Sequence, residues 1–196
     1  MKLIAILSTT TVLAAGVFLS ANFQEKKGQD AKAPPAAGDA MPMPKPGPEH
    51  ALLKRGAGTW DAVVKMGGQE FKGTQGAQMQ MSGLWLVYQF RCPDFMGSPF
   101  QGAGATTWSP DEKKYVATWV DSMSSDVDTS EGVPSKDGKT ITWTATVRDP
   151  QTRKKAQQKR VEEWKDDDHY TLTFFGPGPD GKEGPMMSIE YSRRKG

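Results

Sequence analysis

The residues able to do chemistry are few in this chain, and their spacing decides what each is able to do. Asp121, Asp126, Asp128 and Glu131, in VDSMSSDVDTSEG, form the densest carboxylate group. Oxygen ligands so close together suit a hard cation such as Ca²⁺, but the run lacks the glycine and the ordered ligand positions of a calcium loop, and it reads as a solvated rim. The two histidines are His50, beside Glu49, and His169, after three aspartates. Two imidazoles with no convincingly placed third ligand do not make a usual zinc site, so no metal residue is assigned. Ser98 in MGSPF is outside a G-x-S-x-G elbow, and Cys92 precedes Pro93 with no histidine near it in sequence. The GAGATT run at Gly102–Thr107 has neither the third glycine nor the following helix of a phosphate loop. The basic RKKAQQKR at Arg153–Arg160 has no interleaved aromatics and is balanced by the nearby Asp166-Asp167-Asp168, so it reads as a charged solvent face. No catalytic residue is assigned.

The elements that must position these groups are strands. Of 196 residues, 25 are Lys or Arg and 23 are Asp or Glu, so net charge gives no general attraction to nucleic acid or to an anionic membrane, and no nucleic-acid partner is expected. The first 21 residues combine a basic start at Lys2, an apolar run and small residues at Ser20 and Ala21; they predict an export signal, hence a periplasmic or extracellular protein. If uncleaved, the segment would be the protein's one membrane attachment. Residues 22–45, rich in Pro, Ala and Gly, cannot bury enough apolar surface to offset the entropy of ordering and read as a disordered linker. Cys92 is the only cysteine, so no intrachain disulfide can form.

Residues 46–196 form the folded domain. Glu49 to Arg55 reads as one or two helical turns stopped by Gly56 and Gly58. The period then changes to two: Trp60, Ala62, Val64 and Met66 share a face, Gly67-Gly68 turns the chain, and Phe71, Ala77, Met79 and Met81 share the next. Further short strands are expected at 84–91, 100–108, 115–122 and 126–133, with CPDFMGSP as a loop, and the alternation continues through Ile141-Trp143-Ala145-Val147, Tyr170-Leu172-Phe174 and Ile189-Tyr191-Arg193. About ten antiparallel strands joined by tight turns would expose two sheet edges unless the sheet closed on itself. The expected fold class is all-β: a closed up-and-down β-barrel with a short N-terminal helix.

A short helix, then Gly58-Thr59-Trp60 at the head of the first strand, then Arg193 near the end of the last, resembles the signature of calycin barrels, which include lipocalins, fatty-acid-binding proteins and nitrobindin-like proteins. The resemblance implies that Trp60 plugs the closed end with Arg193 lying across it, and that Gly58 belongs to the same barrel-closing set. GPEHALLKRGAGTWDAVVKM, GLWLVYQF, KKYVATWVDSMSS and GPDGKEGPMMSIEYSRR are similar to a bacterial, often exported family known as domain of unknown function 1579, which implies the fold and supplies no mechanism.

Large side chains then suggest a ligand cavity at the end away from Trp60, with Met79, Met81, Phe90, Trp108, Trp119, Trp143 and Tyr191 as candidate lining. The expected function is carriage or sensing of a small apolar ligand. The alternatives are a packed interaction domain of the cell envelope and a barrel enzyme using Glu131, Glu162 or Asp121 as acid or base. No cofactor is assigned; haem, as in nitrobindin-like relatives, would need a histidine projecting into the cavity.

Overall fold

In the computed structural model, residues 43–148, 152, 154–178 and 181–195 are described. The expected signal segment and residues 22–42 of the linker lie outside them. After a six-residue helix α1 (His50–Arg55), ten strands follow: β1 (Gly58–Met66), β2 (Gln69–Gln80), β3 (Trp85–Phe95), β4 (Ser98–Ser109), β5 (Lys114–Asp121), β6 (Asp128–Pro134), β7 (Thr140–Arg148), β8 (Lys155–Asp166), β9 (His169–Pro177) and β10 (Glu183–Arg193). Each strand pairs antiparallel with its sequence neighbour, and β1 pairs with β10, so the sheet is a closed up-and-down barrel. No helix among the described residues is long and apolar enough to cross a membrane.

Turn chemistry sets the register. Gly67 and Gly68 have φ of +58° and +78°, the two positive values a two-residue turn needs to match strand twist, and they bring Met66 opposite Gln69. The same device recurs where a loop was expected. Met96 and Gly97, at φ +54° and +85°, make the turn, so β3 runs through Pro93 and Asp94 to Phe95. A register shift between Cys92 and Phe95 absorbs the proline, which donates no ladder hydrogen bond. CPDFMGSP is therefore mostly strand.

Two clusters fill the interior. One centres on Trp60, Phe90, Cys92, Trp164, Tyr170 and Tyr191; the other joins Leu53 of α1 to Tyr115, Ile141 and Trp143. Aromatic rings are seated on glycines of the adjoining strand. A Cβ on Gly132 would meet the Trp143 ring at 2.6 Å, and one on Gly104 would meet the Tyr88 ring at 2.6 Å. These rings lie flat against the wall because the facing residue has no side chain.

Candidate functional site

The end of the barrel holding the start of β1 is shut by Trp60 and Arg193, which face each other in the β1–β10 register. Trp60 is fully buried and its indole Nε1 donates to Gly56 O at 3.0 Å. The Arg193 Cζ stands 4.1 Å from the Trp60 ring centroid. Its guanidinium donates to Ala57 O (2.7 Å), Arg55 O (2.8 Å), Asp167 O (2.8 Å) and the Asp168 carboxylate (3.0 Å). Arg193 thus ties the exit of α1 to the β8–β9 turn. Gly58, at φ +130°, is required twice over: a side chain would be strained there, and its Cβ would lie 2.7 Å from the Arg193 Nη1.

A half-open cavity of about 120 Å³ lies beneath α1, with Leu52, Leu53 and Gly56 forming part of its roof. Its location reverses the expectation of an opening at the far end. There, Phe71 meets Phe95 edge-on at 5.0 Å, Phe95 meets Phe100 at 5.5 Å and Phe100 meets Phe90 at 6.0 Å, so rings occupy the space. Beneath the helix, inward positions instead carry polar groups: Gln75, Tyr88, Thr106, Arg160, Glu162 and Tyr191.

One carboxylate lies among these groups. Trp164 Nε1 donates to Glu162 Oε1 at 2.7 Å. Glu162 is half-buried by surface area yet deep among protein atoms, because the surface it keeps is cavity wall. Burial pushes its carboxyl above the usual range, with the indole N–H groups of Trp164 and Trp143 pulling the other way. Arg160, two residues earlier on the same inward face, is spoken for: its Nη2 bonds Asp128 at 3.2 Å and its Nε bonds Gln158 at 3.0 Å. Burial raises the Asp128 carboxyl, and Arg160 opposes that rise. Gln75 Nε2 donates to the Tyr170 hydroxyl at 3.0 Å, and the Tyr88 and Thr106 hydroxyls lie 3.3 Å apart. Burial holds the phenols of Tyr88, Tyr170 and Tyr191 in the protonated form, raising each above its ordinary range.

The rings at this end form a column. The Arg55 Cζ sits 4.3 Å from Trp164, Trp164 stacks on Tyr170 at 4.5 Å, and Tyr170 stacks on Tyr191 at 4.3 Å. Both faces of Trp164 are therefore occupied, and it offers the cavity its N–H edge. Trp143 is different, since one face lies on Gly132 and the ring still lines the cavity.

Of the residues named from sequence as candidate lining, Trp143 and Tyr191 border this cavity. Phe90 belongs to the buried Trp60 cluster with Trp119 against it, and Met79 and Trp108 pack on the Tyr115 cluster. Met81 is 61% exposed: at φ +49° it leaves β2 for a short 3₁₀ turn, which ends the alternation that put it inside. Glu131 is outward and paired with Lys114, while Asp121 accepts from Trp119 Nε1, so among the three carboxylates considered as acid or base only Glu162 enters the cavity. His50 is buried at the first position of α1 and His169 is exposed beside Asp166; neither lines the cavity. Among the described residues, no group of His, Cys, Asp or Glu is placed to hold a metal ion. The expected solvent face at Arg153–Arg160 needs correction at its end, because Arg160 has only 14% of its side chain exposed. Its four-residue spacing from Trp164 is the signal that places it inside.

No curated protein sequence matches the chain. Among solved structures, Rv2717c from M. tuberculosis is 14% identical, with 76% of this chain and 99% of that one covered and a TM-score of 0.54. The S-type phycobiliprotein lyase CPES from Guillardia theta is 12% identical over 76% and 93% of the two chains, with a TM-score of 0.49. A redesigned beta barrel is 17% identical over 74% and 95%, with a TM-score of 0.38. The likeness to Rv2717c supports the barrel fold. The model of the family described as protein of unknown function DUF1579 matches residues 45–193, and the chain belongs to that family.

Proposed function

We propose that the protein is a small-molecule-binding barrel, acting as a carrier or sensor outside the cytoplasm. The observation that carries this reading is the half-open cavity of about 120 Å³ beneath α1, in a barrel whose far end is packed with rings. A purely structural barrel gains from filling such a space, since a void forfeits dispersion contacts and hydrophobic burial. Polar side chains converging on it supply the orienting groups a ligand site needs. At about 30 Å³ each, roughly four waters fit there, so the ligand or its head is small. The polar groups set in this largely apolar lining favour an apolar ligand that carries a polar head. Export rests on the sequence of residues 1–21.

The test is native mass spectrometry of protein purified without denaturation, followed by a thermal-shift screen of small polar, charged and apolar compounds. Retained mass or a saturable shift supports binding. No retained mass and no shift with any class removes it and favours the packed interaction domain. Export is tested by sequencing the N-terminus of protein recovered outside the cytoplasm, which should begin at Asn22.

A further inference from the structure

Among the described residues bordering the cavity only Arg160 and Glu162 carry a formal charge, and they are not equivalent. Arg160 is neutralised by Asp128 at 3.2 Å. Among the described residues no cation lies within salt-bridge distance of Glu162: Arg55 acts on it through space and lies 2.9 Å from Asp167. A carboxylate has acceptor capacity for about four donors, and Glu162 receives indole N–H groups alone. Around it stand Trp143, seated by one face on Gly132, and Tyr191, seated by one face on Tyr170. A buried carboxylate with spare acceptor sites, beside aromatic rings, is the chemistry that recognises ammonium groups.

Resting on the reading that the cavity holds a ligand, we propose that the ligand class is a small organic cation, an amine or methylated ammonium group held between the Glu162 carboxylate and the Trp143 ring. The space admits a head slightly smaller than benzene, by comparison with the roughly 150 Å³ cavities that hold that molecule. An anionic head is disfavoured there because Glu162 repels it while Arg160 is already paired. A neutral head of equal shape gains the packing without the charge.

The test uses three probes of four non-hydrogen atoms each on the full-length protein: trimethylammonium, the neutral isopropanol and the anionic acetate, each titrated by calorimetry and thermal shift. Trimethylammonium should bind at least tenfold more tightly than either of the others. Glu162→Gln should abolish that preference, and Trp143→Leu should weaken the cation about fivefold while leaving the charge order intact. Near-UV circular dichroism reports whether each variant is folded, and the wild-type ranking stands without the variants. Equal or tighter binding of the alcohol or acetate, or no binding of any of the three beside a positive wider screen, overturns the cation assignment and leaves the ligand-binding reading in place. Failure of all three, together with an empty result in the wider screen, overturns both.

Discussion

Replacing Arg193 with alanine tests the closure of the barrel more directly than any other change. The guanidinium stands 4.1 Å from the Trp60 centroid and donates to the carbonyls of Ala57, Arg55 and Asp167 and to the Asp168 carboxylate, with 26% of the side chain exposed. The ring contact contributes about 1 kcal/mol when partly sheltered. The carbonyls of Ala57 and Arg55 lose their charged donor, at about 1 kcal/mol each, because water reaches this end only in part. Exposure of a quarter of the side chain argues against the larger values of fully buried pairs, so Arg193→Ala should cost about 3 kcal/mol. With a urea m-value of about 2 kcal/mol/M, the unfolding midpoint should fall by about 1.5 M. Lysine keeps the charge but cannot fork between two carbonyls, so Arg193→Lys should recover about half of the loss. The control is the next residue, Arg194, whose exposed side chain bonds Asp61 on the outer face; Arg194→Ala should leave the midpoint unchanged. A shift below 0.5 M for Arg193→Ala, or an equal shift for Arg194→Ala, would show that the clasp does not hold the barrel shut, a threshold of about 1 kcal/mol.

Three further outcomes follow from other parts of the interior. Gly132→Ala should destabilise by about 1–3 kcal/mol and alter Trp143 fluorescence, because the new methyl meets that ring at 2.6 Å; an unchanged midpoint and spectrum would contradict the ring-on-glycine packing. Cys92 is 1% exposed, and burial pushes its thiol pKa up, so it should resist a thiol reagent at pH 8 in the native protein and react fully in urea, an order that rapid native labelling would reverse. The folded-state pKa of Glu162 lies above its ordinary value of 4.5, so the folded protein holds this proton more tightly than the unfolded chain. The contribution is intact below that value and is lost as pH rises through the raised folded pKa. Urea titrations from pH 4 upward should therefore show a decline that is shallower in Glu162→Gln, with the Asp128 contribution, of the same sign, left in both proteins. Parallel pH profiles for the two proteins would place Glu162 outside the buried network.

Much of the barrel was legible before any coordinate. Period-two alternation in β1, β7, β9 and β10, together with the Gly67-Gly68 turn, specifies antiparallel hairpins, because a one-residue slip would turn every apolar side chain out to solvent. Many strands on short turns must then close or leave edges, and the Gly58, Trp60 and Arg193 positions marked where closure occurs. Local pattern failed where backbone geometry outweighed residue type: Pro93 sits inside β3 because a register shift accommodates it, and Met81 leaves the sheet on a positive φ. Residue type also misled inside the barrel. Arg160 looks like a solvent residue beside Lys159, and its parity with Trp164 is the sign that it turns inward; Glu162, considered from sequence as an acid or base, shares that parity.

The sequence by itself determined the strand order and most of the inward face, since these follow from periodicity and turns that act over a few residues, while the closing residues were implied by the resemblance to calycin barrels. Tertiary structure alone decided which end of the barrel is filled and which is hollow. That outcome depends on rings from separate strands meeting across the interior, Phe71 with Phe95 at one end and α1 over Trp143 at the other. Whether inward side chains leave a void is a matter of summed volumes in three dimensions, which no spacing along the chain encodes.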